Sequence, residues 1–300
     1  MDVDLPILRG HLEVVKWLIK NGAQLQDDCL YSAATTGNIE LCKWLKKNGC
    51  AVRPYSYCPS TLPLLQLLVE WGFVPDPEFF FNAASNGYFD QIKWAKSRGY
   101  EWDSNTCACA AAEGRLDILQ WVRERGCPWD EVCCENAARC GHMEILQYAR
   151  GRNCPWNMVT IIAAAEEGHF EIIKWAVDNG CPLPNIIDFN IKSISIFEYL
   201  INKGCVIDIG AIRAAASEGN MEVLKWLLFK SSPNYEYDRK HICNMAAKYG
   251  DLNMLQWTKE NKYEWSGYTL SYAVRHPHVF KWLRNNGCKW DWVTLEHSFM

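Results

Sequence analysis

Hydrophobic and polar positions along this chain fall into short helical blocks punctuated by glycine. In Gly168-His169-Phe170-Glu171-Ile172-Ile173-Lys174-Trp175-Ala176, Phe170, Ile173 and Trp175/Ala176 lie close to helical spacing, and Ile172 widens the apolar stripe. The pattern predicts a helix that starts just past Gly168 and stops at Gly180, a residue able to take the left-handed conformation that ends a helix. A second kind of block is rich in alanine. The pairs Ala33/Ala34, Ala83/Ala84, Ala110/Ala111, Ala137/Ala138, Ala164/Ala165, Ala215/Ala216 and Ala246/Ala247 are each followed, after two residues, by a glycine. They predict short first helices, closely packed through Ala and stopped by Gly. Acids three residues past that glycine, among them Glu13, Glu40, Asp90, Glu144 and Glu171, suit the positive end of the second helix. Connectors such as Cys127-Pro128-Trp129-Asp130 then carry a Pro that helix interiors exclude and an Asp that caps the next helix.

The same grammar returns about every 27 residues: Trp94, Trp121, Tyr148 and Trp175 are spaced by 27, as are Trp17 and Trp44, and Tyr199 and Trp226. Leu67, Trp257 and Trp282 continue the column through short deletions and one insertion. About eleven helix-turn-helix units therefore fill residues 1–300 as a single domain. One hairpin cannot bury its own apolar face, so the expected architecture is all-α, an α-solenoid of stacked hairpins. Units near 53–73, 184–205 and 262–288 are degenerate. Pro54, Pro59 and Pro63 in the first of these, and the missing alanine pair from Asp188 to Ser195 in the second, predict irregular first helices and a bend near 53–63 and 184–195.

The run Ala33-Ala34-Thr35-Thr36-Gly37-Asn38-Ile39-Glu40-Leu41-Cys42-Lys43-Trp44-Leu45-Lys46-Lys47-Asn48-Gly49-Cys50 resembles the second half of an ankyrin repeat, and His11, His142 and His169 match that family's Gly-His step. The resemblance covers essentially the whole chain. It departs from the family in length, since ankyrin units run to 33 residues. The Thr-Pro-Leu-His start is missing here, which implies shortened or absent β-hairpin loops. This short form is similar to ankyrin-like arrays encoded by large DNA viruses of protists and by some of their hosts.

Composition narrows the chemistry. A net charge of −4 supplies no overall cationic field for nucleic acid or an anionic membrane, and the longest apolar stretches, such as Leu62 to Val69, are too short to span a bilayer. The acidic start Met1-Asp2-Val3-Asp4 is unlike a secretory signal, and with an odd count of 15 cysteines it argues for reduced thiols in the cytosol or nucleus. Cys107, Cys109, Cys133, Cys134 and Cys140 invite a zinc hypothesis. Cys107, Cys134 and Cys243, however, share a repeat column with Leu30, Phe80, Ile161 and Ile212, which reads as core. The expectation is no metal and no cofactor.

The 15 tryptophans fall mostly in two columns. The second-helix column (Trp17, Trp44, Trp94, Trp121, Trp175, Trp226, Trp257, Trp282) reads as core packing. The connector column (Trp102, Trp129, Trp156, Trp265, Trp290) reads as packing between units, partly exposed and open to a partner. Lys16, Lys43, Lys93 and Lys174 precede the first column, and this basic ridge reads as a solvated helix face rather than a phosphate track. His241, His276, His278 and His297 have no partner constellation, and no phosphate loop, nucleophile elbow or zinc-protease motif occurs, so no catalytic residue is expected.

The expected function is a non-catalytic protein-protein interaction scaffold. The resemblance places partner contacts on the first helix just before the glycine, at Thr35, Ser85, Glu113, Arg139, Glu166, Glu167, Ser217, Glu218, Lys248 and Tyr249. These columns vary between units while the Ala and Gly columns do not. The alternative is an adaptor for a ubiquitin ligase or a host-interaction factor; nucleic-acid binding and a purely architectural role rank below both. The chain is expected to be monomeric and cytoplasmic or nuclear, in host cytoplasm if viral, with no membrane association. The ends, Leu5-Pro6-Ile7-Leu8 and Asp291-Trp292-Val293, suggest either fraying terminal units or part of a longer array.

Overall fold

A computed structural model describes residues 3–26, 28–52, 58–231 and 236–289. The chain divides into two compact units, Met1–Trp156 and Asn157–Met300. The first holds α1 (Asp4–Leu8), α2 (Leu12–Lys20), α3 (Cys29–Thr36), α4 (Ile39–Lys47), α5 (Leu62–Glu70), α6 (Pro77–Asn86), α7 (Phe89–Ser97), α8 (Ser104–Ala112), α9 (Leu116–Glu124), α10 (Glu131–Arg139) and α11 (Met143–Gly151). The second holds α12 (Met158–Glu167), α13 (Phe170–Asp178), β1 (Ile186–Ile187), α14 (Ile194–Asn202), β2 (Val206–Ile207) and α15 (Ile209–Ser217). It continues through α16 (Met221–Ser231), α17 (Glu236–Lys248), α18 (Leu252–Glu260), α19 (Gly267–Tyr272), one 3-10 turn (Ala273–Arg275) and α20 (Pro277–Asn285). Among the described residues, each of the eleven predicted column positions from Trp17 to Trp282 sits on its own second helix.

Both helices of a hairpin stop where the spacing says they should. Asp103, Asp130 and Asn157 accept hydrogen bonds from the backbone N–H groups of Asn105 (3.0 Å), Val132 (3.1 Å) and Val159 (2.8 Å), which starts α8, α10 and α12. The glycines at both stops have positive φ, and Asn153 (62°) and Lys262 (59°) stand in for glycine after α11 and α18. Successive first helices pack on one another, α6 on α8 and α8 on α10 in the first unit, α15 on α17 and α17 on α19 in the second. The paired alanines are fully buried at these contacts, as close helix approach requires.

The second helices supply the aliphatic core. In α9 the buried residues are Ile118, Leu119 and Val122; in α11, Ile145, Leu146 and Ala149; in α13, Ile172, Ile173 and Ala176. Fully burying one such Leu or Ile contributes roughly 1.5–3 kcal/mol. The tryptophan column lies one step outside this stripe. Trp44, Trp94, Trp121, Trp175, Trp226, Trp257 and Trp282 are half-buried and Trp17 is 58% exposed, which corrects the expectation of a tryptophan core. Within this column Trp121 stacks edge-on against Phe89 of the preceding hairpin (5.7 Å) and the connector Trp102 (6.1 Å), and Tyr199 against Phe170 (5.5 Å). In the connector column Trp102 is buried, while Trp129, Trp156 and Trp265 are half-buried; Trp290 and Asp291 to Leu295 lie outside the described residues.

Most cysteines behave as small core residues, whereas Cys140 is exposed and Cys58 and Cys109 are half-buried. Cys107, Cys134 and Cys243 are buried with Leu30, Phe80, Ile161 and Ile212, and Cys127, Cys154 and Cys181 are buried in the connectors. The last three donate to the carbonyls of Asp103, Asp130 and Asn157, each at 3.3 Å, so the thiol column ties each connector to the preceding one. Burial pushes the Cys42 and Cys243 thiols up to about 12. Hydrogen bonding to the Cys127 thiol, then burial, raises Cys107, and hydrogen bonding to the Cys154 thiol, then burial, raises Cys134. These are inert, protonated packing groups. Among the described residues no three His, Cys, Asp or Glu side chains are grouped so as to hold a metal ion.

The degenerate units have physical causes. Residues 188–193 form no helix; with Pro182 and Pro184 just upstream and no alanine pair, the connector stays extended and β1 pairs in parallel with β2, Ile186 opposite Val206. Residues 58–61 likewise carry no helix, and residues 53–57, including Pro54, lie outside the described residues. In the last of the three, α19 is only six residues long and ends in the 3-10 turn.

Candidate protein-interaction surface

Each regular hairpin builds the same small platform. The alanine pair is pinned in the core, the two residues after it ride on the last turn of the first helix, and the glycine turns the chain away. At Gly114 that turn is also a close approach: φ is 71°, and a Cβ there would lie 2.9 Å from the His142 ring. Nε2 of His142 is hydrogen-bonded to the Ala112 carbonyl at 3.0 Å, which joins consecutive platforms. Other residues at this step do the same work. Asn38 Nδ2 donates to the Gly10 carbonyl (2.9 Å), Asn220 Nδ2 to that of Lys192 (3.2 Å), and His276 Nε2 bonds that of Lys248 (2.9 Å). The residue at this step thus joins consecutive platforms, and His142 is structural there.

In the first unit, Thr35 and Glu113 are exposed and Ser85 and Arg139 half-buried. Thr35 spends its hydroxyl on the Ser32 carbonyl (2.8 Å), Arg139 pairs with Glu135 on its own helix (3.2 Å), and Ser85 is hydrogen-bonded to the Cys109 thiol of the next hairpin. In the second unit Glu167, Ser217, Glu218, Lys248 and Tyr249 are exposed and Glu166 half-buried. Glu167 pairs with Lys192 at 2.6 Å, and the Tyr249 hydroxyl donates to the Ser217 carbonyl while its ring covers Gly219. Tyr249 therefore joins two platforms as well as facing solvent. Lys192 stands outside the platform columns in sequence, in the segment of its unit that forms no first helix.

The basic ridge is largely occupied. Lys16, Lys43, Lys93 and Lys174 pair with the acids three residues before them at 2.7, 3.1, 3.8 and 2.8 Å. Lys96, Arg123 and Arg150 lie over Trp102, Trp129 and Trp156 at 4.4, 4.0 and 4.2 Å from the ring centroids, and the two arginines also donate to the Cys127 and Cys154 carbonyls. Three-dimensional stacking of this kind leaves no trace in the periodicity of a single helix.

A family profile described as Ankyrin repeats (many copies) matches residues 5–45, which span the first hairpin and most of the second. Over residues 5–45 the chain is similar to ankyrin repeats. No curated protein matches it. Among solved structures, the human ASB11 ankyrin repeat domain is similar at 17% identity, with 52% of this chain and 85% of that chain covered and a TM-score of 0.41. The pentatricopeptide repeat protein PPR10, in complex with an 18-nt psaJ RNA element, is similar at 13% identity and a TM-score of 0.43, with 99% of this chain and 56% of that chain covered. PPR10 from maize gives 14%, 0.41, 97% and 55%. The chain thus spans about half the length of the PPR10 chains it matches. Ankyrin repeats are generally non-catalytic protein-interaction modules. Among the described residues no helix is long and apolar enough to cross a membrane.

Proposed function

We propose that this chain is a non-catalytic, ankyrin-type scaffold that binds a partner protein through its first-helix platforms. One observation carries the reading. In every regular hairpin two fully buried alanines are followed by two side chains of unconstrained chemistry, for example Ala111 followed by Ala112 and Glu113, and Ala216 followed by Ser217 and Glu218. Core packing fixes the position of the platform while leaving its side chains free to vary, which is how repeat arrays distribute binding over many small contacts.

The acids of the second unit give the partner a preferred chemistry. Glu166, Glu167 and Glu218 put carboxylates on the platforms of this unit, which supports a preference for a basic partner segment, and Lys192 pairs with Glu167. The test is capture of partners from the native host with the wild-type chain and with Glu166→Lys/Glu218→Lys. Loss of the captured protein from the variant, with helical content unchanged, supports the reading. Retention of the same protein by the variant contradicts the charge preference, and retention by a chain altered on every platform contradicts the platform itself.

A further inference from the structure

A second row of cations in the first unit is not used by the fold in the way Lys96, Arg123 and Arg150 are. Arg98, Arg125 and Arg152 sit just past the last turns of α7, α9 and α11, one per hairpin, and all three are exposed. Each guanidinium lies over the half-buried aromatic of its own helix: Arg98 over Trp94 at 5.1 Å, Arg125 over Trp121 at 4.1 Å, and Arg152 over Tyr148 at 4.8 Å. Arg125 also meets the Trp121 carbonyl at 3.3 Å and Glu124 at 3.8 Å. The turns carrying the row, residues 96–98, 123–125 and 150–152, hold six basic side chains and one acid, in a chain whose net charge is −4.

A guanidinium held over a ring has lost rotamer freedom before any partner arrives, and a guanidinium is able to offer two parallel N–H bonds to an oxyanion. The three arginines recur at the repeat interval of 27 residues, one per hairpin. A polyproline II segment advances about 3.1 Å per residue with three residues per turn, so acidic side chains at every third position repeat on one face every ~9 Å. We infer that Arg98, Arg125 and Arg152 form a docking row for an acidic, extended peptide segment with carboxylates along one face, on a surface separate from the first-helix platforms. Single-stranded nucleic acid is the weaker fit. Its bases need open aromatic faces, whereas each of these rings is covered by its arginine, and Trp121 and Tyr148 are also wedged edge-on against Phe89, Trp102 and Trp129.

The probe is a fluorescein-labelled (Glu-Pro-Pro)5 peptide followed by anisotropy, with (Lys-Pro-Pro)5 and oligouridylate as comparisons. The full chain should bind the Glu peptide best, with affinity falling as salt rises. The triple variant R98Q/R125Q/R152Q should weaken it about tenfold, and the single variant R125Q about twofold. Circular dichroism establishes that the variants fold, and a triple Arg→Lys variant, which keeps the charge and loses the fork, should fall between wild type and triple Gln. Absence of binding to the Glu peptide, equal binding by the folded Gln variants, or tighter binding of oligouridylate would each overturn the inference.

Discussion

Residues 76–156 and residues 182–208 are built from the same unit and end differently. In the first stretch a connector Asp caps each first helix, an alanine pair lets that helix pack closely on its neighbour, and a buried thiol ties connector to connector. In the second stretch there is no alanine pair and no first helix, and the tie is made by backbone: the Val206 N–H donates to the Asn185 carbonyl (3.0 Å) and that of Asp208 to Ile187 (2.9 Å). When local signals for a helix are removed, the connector satisfies its backbone groups by pairing as strands, because those groups must be satisfied somewhere. The hairpin is therefore a consequence of caps and small residues rather than of the periodic tryptophan.

The largest expected effect tests that last point within the regular stretch. Leu119→Ala empties a fully buried position and should cost about 3 kcal/mol in urea unfolding. Its neighbour Trp121→Ala should cost less despite the larger side chain, since that ring is only half-buried. The reverse order would restore tryptophan to the core.

That ordering also marks where the sequence was readable and where it was not. Gly87, Gly114 and Gly126 as stops, Asp103 and Asp130 as caps, and Cys107 and Cys134 as core could all be seen, because each depends on a local rule or on the company a residue keeps in its column. A 27-residue spacing identifies a column but not the direction it faces, so Trp94 and Trp121 could not be told from Ala95 and Val122, the core positions beside them. Arg98 over Trp94, Lys192 on Glu167 and the β1–β2 pair depend on tertiary neighbours. For the platforms, the positions of Glu113 and Ser217 were legible, whereas the engagement of Tyr249 with Ser217 was not, since it joins residues 32 apart.

Caps separate the two stretches at a smaller scale. Asp130→Ala should cost about 1 kcal/mol by removing the acceptor for Val132 N–H, whereas Asp188→Ala, at an exposed position with no helix to cap, should stay within about 0.5 kcal/mol. Similar losses at both sites would mean that the capping contrast is not what distinguishes them. The glycine rule is tested at Lys262, whose φ of 59° is costly for a side chain. Lys262→Gly should raise stability by about 0.5–1 kcal/mol, the relief of left-handed strain less the added backbone entropy.

The thiol column gives the finest contrast. Cys154 is raised by hydrogen bonding with Cys133 and by burial, with an opposing bond from Cys134, whereas Cys205 is raised by burial alone. Iodoacetamide labelling followed by mass spectrometry, as pH is increased, should therefore modify Cys205 before Cys154. Both folded thiols hold their protons more tightly than the unfolded chain. Their contribution to stability is thus complete below the ordinary thiol range, about 8.5, and is lost as pH rises above it.

Native-state hydrogen exchange reads the central contrast residue by residue. The amides of 104–112 and 131–139 should exchange slowly and together, as cooperative first helices, while 188–193 exchange fast and the Val206 and Asp208 amides stand out as isolated protected positions. Protection across 188–193 equal to that of 131–139 would show that a first helix forms without its cap and alanine pair, and would contradict the account.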